Sequence, residues 1–265
     1  MKTAVNRALS RLTGHVFVRA STIEELERKV GRARRRRRKH LPADYDDEAK
    51  EIIRAVRPYT MTGGDKLYAL IQAARYVVRH RIPGDVVECG VWRGGSMQAA
   101  ARTLASVGDT SRGLHLFDTF EGMPPPSGRD VRRWDSRAAS ELLASESPAD
   151  SKVWAVATLD DVRQGFASVP YPPERVHFVQ GRVEDTIPAR APDRISILRL
   201  DTDWYESTRH ELEHLYPRLS PGGVLLLDDY GYWEGSREAV DEFLAATGER
   251  LLLVRMESGR LAVKP

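Results

Sequence analysis

One cysteine, Cys89, in a chain of 265 residues excludes an intramolecular disulfide and a cysteine-rich zinc site. Nowhere do 18 apolar residues run together, which excludes a membrane-spanning helix, and the N-terminus has no apolar core followed by a small-residue cleavage site. A cytoplasmic protein without a membrane span is therefore expected. The dinucleotide fingerprint Gly-x-Gly-x-x-Gly is also absent, which counts against a nicotinamide-dependent dehydrogenase. The net charge of +3 conceals an uneven distribution. Arg32, Arg34 to Arg38 and Lys39 supply seven positive charges, and the rest of the chain carries −4. No interleaved aromatics or nucleic-acid motif accompany that run, so it reads as a solvated helix or flexible arm and no nucleic-acid partner is expected.

An apolar content of 41% is enough for one sizeable core. Residues 1–57 read as an N-terminal helical arm, with Ser21-Thr-Ile-Glu-Glu as a helix start running into the basic block, and residues 58–265 as one catalytic domain. Leu67, Leu70, Ile71, Ala74 and Val78 recur at helical spacing over Asp65–Arg81, with Pro83-Gly84 as the stop. Strand patterns follow at Asp85–Cys89, Gly113–Asp118, Val176–Val179, Ile195–Leu200 and Val224–Leu227, with a closing pair at Leu251–Met256 and Leu261–Val263. Helical patterns fall at Gly95–Ser106, Ser207–Leu219 and Ser236–Ala246. Continuous apolar strands separated by helices predict an α/β fold, a doubly wound and mostly parallel seven-stranded sheet of Rossmann-like type with helices on both faces.

Ligands of such sheets bind beyond the carboxyl ends of the strands. The polar residues there are Glu88, Asp118, Gln180, Asp201, Asp228 and Asp229. A lone Asp at a strand end commonly caps the next helix or starts a turn; repetition at successive strands points instead to one site. Asp85-Val-Val-Glu-Cys-Gly-Val-Trp-Arg-Gly-Gly-Ser96 is an apolar strand that ends in Glu-x-Gly-x-x-x-Gly and opens into a helix, the pattern of a nucleoside-cofactor loop. A carboxylate at Glu88 repels a pyrophosphate, which favours S-adenosylmethionine over NAD. Asp118 lies at the second strand end, where a carboxylate can accept ribose hydroxyls.

Asp201-Thr-Asp-Trp-Tyr205 and Asp228-Asp229-Tyr230 end neighbouring strands roughly 5 Å apart, so their carboxylates can share a hard cation, magnesium before zinc. Such an ion beside a sulfonium donor suits metal-assisted O-methylation. His210-Glu-Leu-Glu-His214 imitates the zinc-protease signature, but it belongs to a helix sandwiched between strands and carries no expectation of zinc. The stretch 121–175, flanked by Trp134 and Trp154, is long enough for a lid; a surface insertion packed by its own aromatics is the alternative.

Pro58-Tyr-Thr-Met-Thr, Val87-Glu-Cys-Gly-Val-Trp-Arg-Gly-Gly-Ser, Leu116-Phe-Asp-Thr-Phe-Glu-Gly-Met-Pro, Asp201-Thr-Asp-Trp-Tyr-Glu-Ser-Thr and Asp228-Asp-Tyr-Gly together resemble the macrocin O-methyltransferase family over about Pro58 to Phe243. The resemblance implies an S-adenosylmethionine- and magnesium-dependent enzyme that methylates a sugar hydroxyl of a small glycosylated natural product, and a homo-oligomer. It implies cofactor contacts by Glu88, Gly90, Gly94, Ser96, Asp118, Thr119 and Phe120. Magnesium would fall to Asp201, Asp228 and Asp229. Asp201 is the first candidate for the base and Asp203 the second, while Tyr59 and Met61 would close over cofactor and substrate; Trp134, from the long connection, is the candidate lid residue. A catechol-type O-methyltransferase would share the metal geometry. The basic arm has no counterpart in the family pattern.

Overall fold

The computed structural model describes residues 41–145, 147 and 154–265. The helix expected near Ser21 and the Arg32 to Lys39 run lie outside the described residues. Tyr45–Pro265 forms one compact unit.

Seven strands make one sheet: β1 (Asp85–Cys89), β2 (Leu114–Asp118), β3 (Val176–Gln180), β4 (Ile195–Leu200), β5 (Leu219–Leu227), β6 (Val254–Met256) and β7 (Gly259–Val263). Their spatial order is β3-β2-β1-β4-β5-β7-β6, with the first five parallel and β7 antiparallel to both β5 and β6. The order reverses between β1 and β4, which opens the crevice where ligands of doubly wound sheets bind.

Side chains alternate between two cores. Val86, Leu114, Leu116, Ile197, Val224 and Leu226 face α2 (Gly64–Arg79), α3 (Gly95–Ser106) and α5 (Leu159–Phe166). Val87, Phe117, Leu198, Leu200, Leu225 and Leu227 face α7 (Tyr205–Leu215) and α8 (Glu234–Thr247). Burial on both faces explains why β4 is apolar at four of its six positions, on both faces, with Ser196 and Arg199 the exceptions.

The helix α1 (Asp47–Val56), placed by the sequence in the N-terminal arm, belongs to the compact unit. Its Ala49, Ile52, Ile53 and Val56 are buried, and it packs on α2 and α3. The helix expected to run to Leu219 stops at Leu215, because Pro217 cannot donate to the helical ladder; a short 3-10 turn over Tyr216–Arg218 leads straight into β5.

The connection from Glu121 to Arg175 carries two short helices, α4 (Ala139–Ser145) and α5, and a further one-turn helix, α6 (Val183–Thr186), follows β3. It is docked by a buried carboxylate. Asp130 Oδ2 accepts from Ser127 N and Oγ at 2.6 and 2.8 Å, and its Oδ1 accepts from the Tyr205 N–H at 2.8 Å, at the start of α7. Leu142 and Leu143 pack with Trp204 and Trp233, and the Trp204 Nε1–H donates to the Pro124 carbonyl at 2.9 Å. The connection therefore rests on the loops that follow β4 and β5, where the acidic residues converge. Among the described residues no helix is long and apolar enough to cross a membrane.

Candidate active site

Glu88 and Arg199 are register partners on β1 and β4, so their side chains leave the sheet on the same side. Arg199 donates to the Glu88 carboxylate, to Asp201 Oδ2 at 2.7 Å and to Asp228 Oδ1 at 2.6 Å. Its remaining reach goes to Thr62 Oγ1 at 3.1 Å. From α2, Lys66 donates to the Asp228 carbonyl at 2.9 Å and to Asp228 Oδ2. Neither cation was singled out in the sequence. An arginine near the end of an apolar strand, opposite the glutamate of the neighbouring strand, was the signal for Arg199. Lys66, one residue before the apolar series of α2, carried no signal of its own.

Five carboxylates (Glu88, Asp201, Asp203, Asp228 and Asp229) gather around these two cations, which leaves three negative charges in excess when all are ionised. The acidities follow. Burial raises Glu88 to about 7 against the pull of Arg199, and burial together with the charge of Asp201 raises Asp203 to about 7. Burial lifts Asp201 and Asp229 well above the ordinary carboxylate range, with neighbouring aspartates adding to it. Asp228 is the exception: burial pushes it up, but Lys66 and Arg199 outweigh that and hold it at about 2.

One ligand oxygen from each of Asp201, Asp228 and Asp229 lies within 4.8 Å of the others, and this is the only such three-residue group among the described residues. An all-oxygen donor set carrying excess negative charge fits a hard divalent cation. The Asp201 side chain is 24% exposed, so the group opens to solvent on that side. Asp203 adopts a left-handed backbone with φ of 68°. Its Oδ1 accepts from Trp233 Nε1 at 2.6 Å.

The glycine loop is shaped by contacts within the protein. A Cβ on Gly90 would stand 2.1 Å from the Asp201 carbonyl, so the missing side chain lets the β1–α3 loop press on the β4–α7 loop. A Cβ on Gly94, whose φ is 78°, would meet Phe166 and Val162 at 2.9 and 3.0 Å. Asp118 Oδ2 accepts from the N–H groups of Val91 and Trp92 at 2.6 and 2.9 Å, and its Oδ1 accepts from Phe120 N at 2.7 Å. Trp92 and Phe120 both have positive φ, so this carboxylate clasps the two strained turns at the crevice. Thr119 Oγ1 closes the second turn on the Gly122 carbonyl at 2.7 Å. Glu88 differs. Its Oε2 is buried and has no hydrogen-bond partner among the described residues, which fits a donor supplied by a bound molecule.

Ser96 Oγ lies 3.2 Å from Thr62 Oγ1, which ties the start of α3 to the segment before α2. Tyr59 sits over the same helix start: its carbonyl would touch a Cβ on Gly95, and Arg93 stacks on its ring at 5.5 Å. Met61 is 37% and Trp134 58% exposed, and Trp134 stands edge-on to Tyr232 at 4.4 Å. Tyr232 precedes Trp233, the partner of Asp203. The zinc-like pattern on α7 is not a metal site: Glu211 is buried and accepts from Thr202 Oγ1 at 3.2 Å, while His210 Nε2 lies 3.0 Å from the Ile187 carbonyl.

A doubly wound sheet of this strand order, with acidic residues converging at the switch point, defines a Rossmann-like methyltransferase. The sequence matches the macrocin-O-methyltransferase (TylF) family over residues 7–255, so the match extends beyond Pro58–Phe243 and takes in the Arg32 to Lys39 run that the motifs left without a counterpart. It is 37% identical over 190 residues, 72% of this chain and 69% of the relative, to the 8-demethyl-8-(2,3-dimethoxy-alpha-L-rhamnosyl)-tetracenomycin-C 4'-O-methyltransferase of Streptomyces olivaceus. It is 34% identical over 185 residues, 70% of each chain, to the mycinamicin III 3''-O-methyltransferase of Micromonospora griseorubida. The solved structure of the O-methyltransferase NovP superimposes with a TM-score of 0.67 at 32% identity, covering 78% of this chain and 82% of that one. The chain belongs to the macrocin-O-methyltransferase family and is an O-methyltransferase.

Proposed function

We propose that the chain moves the methyl group of S-adenosylmethionine to a sugar hydroxyl of a small glycosylated natural product, with magnesium held by Asp201, Asp228 and Asp229. The observation that carries this reading is the convergence of those three carboxylates, within 4.8 Å of one another, beside the Glu88 Oε2 that has no partner among the described residues. The tetracenomycin relative is named for 4'-O-methylation of a rhamnosyl-bearing compound and the mycinamicin relative for 3''-O-methylation.

When bound, the cofactor supplies an electrophilic methyl group and the cation supplies Lewis acidity toward the acceptor oxygen. The chain's own residues bind, orient and move the proton. Glu88 offers its free oxygen to the cofactor, and Asp118 holds the loops of Gly90, Gly94, Thr119 and Phe120 against it, with Ser96 fixing the start of α3. Asp203 is the better placed base. Asp201 is committed to Arg199 and to the cation group, whereas Asp203 stands outside that group and is oriented by Trp233. Asp203 accepts the hydroxyl proton as the acceptor oxygen attacks the methyl carbon and S-adenosylhomocysteine leaves. In this reading Tyr59, Met61 and Trp134 cover the acceptor and limit water.

The test is incubation of the full chain with S-adenosylmethionine, magnesium and separate rhamnosylated and catechol acceptors, read by mass spectrometry. One added methyl on the sugar is expected. Methylation of catechols alone overturns the acceptor class, and absence of S-adenosylhomocysteine with every acceptor overturns the transfer reading.

A further inference from the structure

Lys66 is 8% exposed, a rare condition for a lysine, and buried ammonium groups persist only where they are paired. Its Nζ enters the acidic group from the start of α2 and donates to both the carbonyl and Oδ2 of Asp228. Arg199 takes the other carboxylate oxygen, at 2.6 Å. Both oxygens of this one proposed cation ligand are thus already matched by resident positive charge. Asp229 and Asp201 are the next carboxylates that Lys66 feels. Asp201 is shared with Arg199, and neither cation donates a hydrogen bond to Asp229 among the described residues.

A carboxylate oxygen has more than one lone pair, so Lys66 and a divalent cation can share Asp228. Their like charges then repel across a few ångströms in a buried, weakly screened place. We propose that Lys66 is a positioning residue that stands in for the cation: it holds Asp228 in its ligand orientation in the ion-free protein, and it opposes the incoming ion, so that it sets the cation affinity. The inference rests on the reading that Asp201, Asp228 and Asp229 take a divalent cation. Lys66 and Arg199 differ in what else they hold. Arg199 also serves Glu88, Asp201 and Thr62, and its loss strands several partners at once; among the described residues Lys66 donates hydrogen bonds only to Asp228. Lys66 is therefore the residue to change.

The full chain, stripped with chelator, is titrated with magnesium and separately with manganese by calorimetry, alongside thermal unfolding in chelator. Lys66→Met is expected to melt earlier without ion and to bind the ion about tenfold more tightly or better, because a close positive charge has gone. Lys66→Arg, which keeps the charge, stays near the wild-type affinity. A role confined to packing also lowers stability without ion but weakens ion binding instead of tightening it. Unchanged or weaker binding by folded Lys66→Met overturns the inference while leaving the cation reading in place. If Lys66→Met is unfolded in chelator, a cooperative transition restored by magnesium supports the inference and failure to restore one overturns it. No binding by wild type or Lys66→Met overturns the cation reading and this inference with it.

Discussion

Asp201 and Asp203 stand two residues apart yet differ in chemical situation. Asp201 is drawn into the ion-pair system of Arg199, 2.7 Å away, and contributes an oxygen to the three-carboxylate group. Asp203 accepts from Trp233, and burial with the charge of Asp201 raises it to about 7. A base needs an acidity near the working pH, so the two substitutions separate. Asp201→Asn is expected to abolish calorimetric binding of magnesium and turnover together. Asp203→Asn is expected to keep magnesium binding and lose ~10²–10⁴-fold in kcat, the usual contribution of a positioned base. In the wild type, kcat should fall as the pH drops through about 7 or somewhat below, since the bound cation favours the ionised form. Near-normal turnover by Asp203→Asn would return the base role to Asp201. Gly90 has no room for a side chain, because a Cβ there would meet the carbonyl of Asp201 itself.

At the scale of elements, α1 is short and depends on its cap. Asp46 accepts from Ala49 N at 2.9 Å and pairs with Arg75 of α2 at 2.7 and 2.9 Å, an interaction that holds its carboxyl below the ordinary range, Arg75 foremost. A depressed acidity in the folded state means stabilisation that is present above the ordinary pKa of 3.8 and lost as pH falls below it. Asp46→Ala should cost about 1 kcal/mol in urea unfolding at neutral pH, chiefly through the cap, since an ion pair 42% exposed at Asp46 adds little. The difference from wild type should shrink near pH 3; a constant difference would assign the effect to packing. Strands were more legible than helix ends. The patterns at β1 and β4 gave their bounds, because strands buried on both faces are continuous apolar runs. β6 is shorter than its apolar run, Leu251–Met256: ladder pairing begins only at Val254, and Leu252 is 81% exposed. The acidic half of the site was legible from strand ends, while Lys66 and Arg199 were not. Periodicity marks which face is buried, and a cation on a buried face is recognised only once the carboxylates across the crevice are in place.

The molecule packs five carboxylates against two cations at one place, and stability must register it. Glu88 rises from the ordinary 4.5 to about 7 and Asp203 from 3.8 to about 7, so the folded state binds protons that the unfolded chain has already released. The sign follows: ion-free stability from these groups is full below their ordinary acidities and is lost as pH climbs toward and through about 7. Asp228, held at about 2, acts in the opposite sense but only in acid, outside that window. A divalent cation compensates the excess carboxylate charge, adds stability by mass action and must displace the same protons. Melting temperature in chelator should therefore fall between about pH 5 and about pH 7.5 by more than it does in saturating magnesium, and the magnesium-induced rise should be small at the acid end and large at the other. Asp201→Asn should flatten that dependence. A magnesium increment of equal size at both ends would mean that the acidic cluster carries its charge without strain, and the cation would then have to act elsewhere.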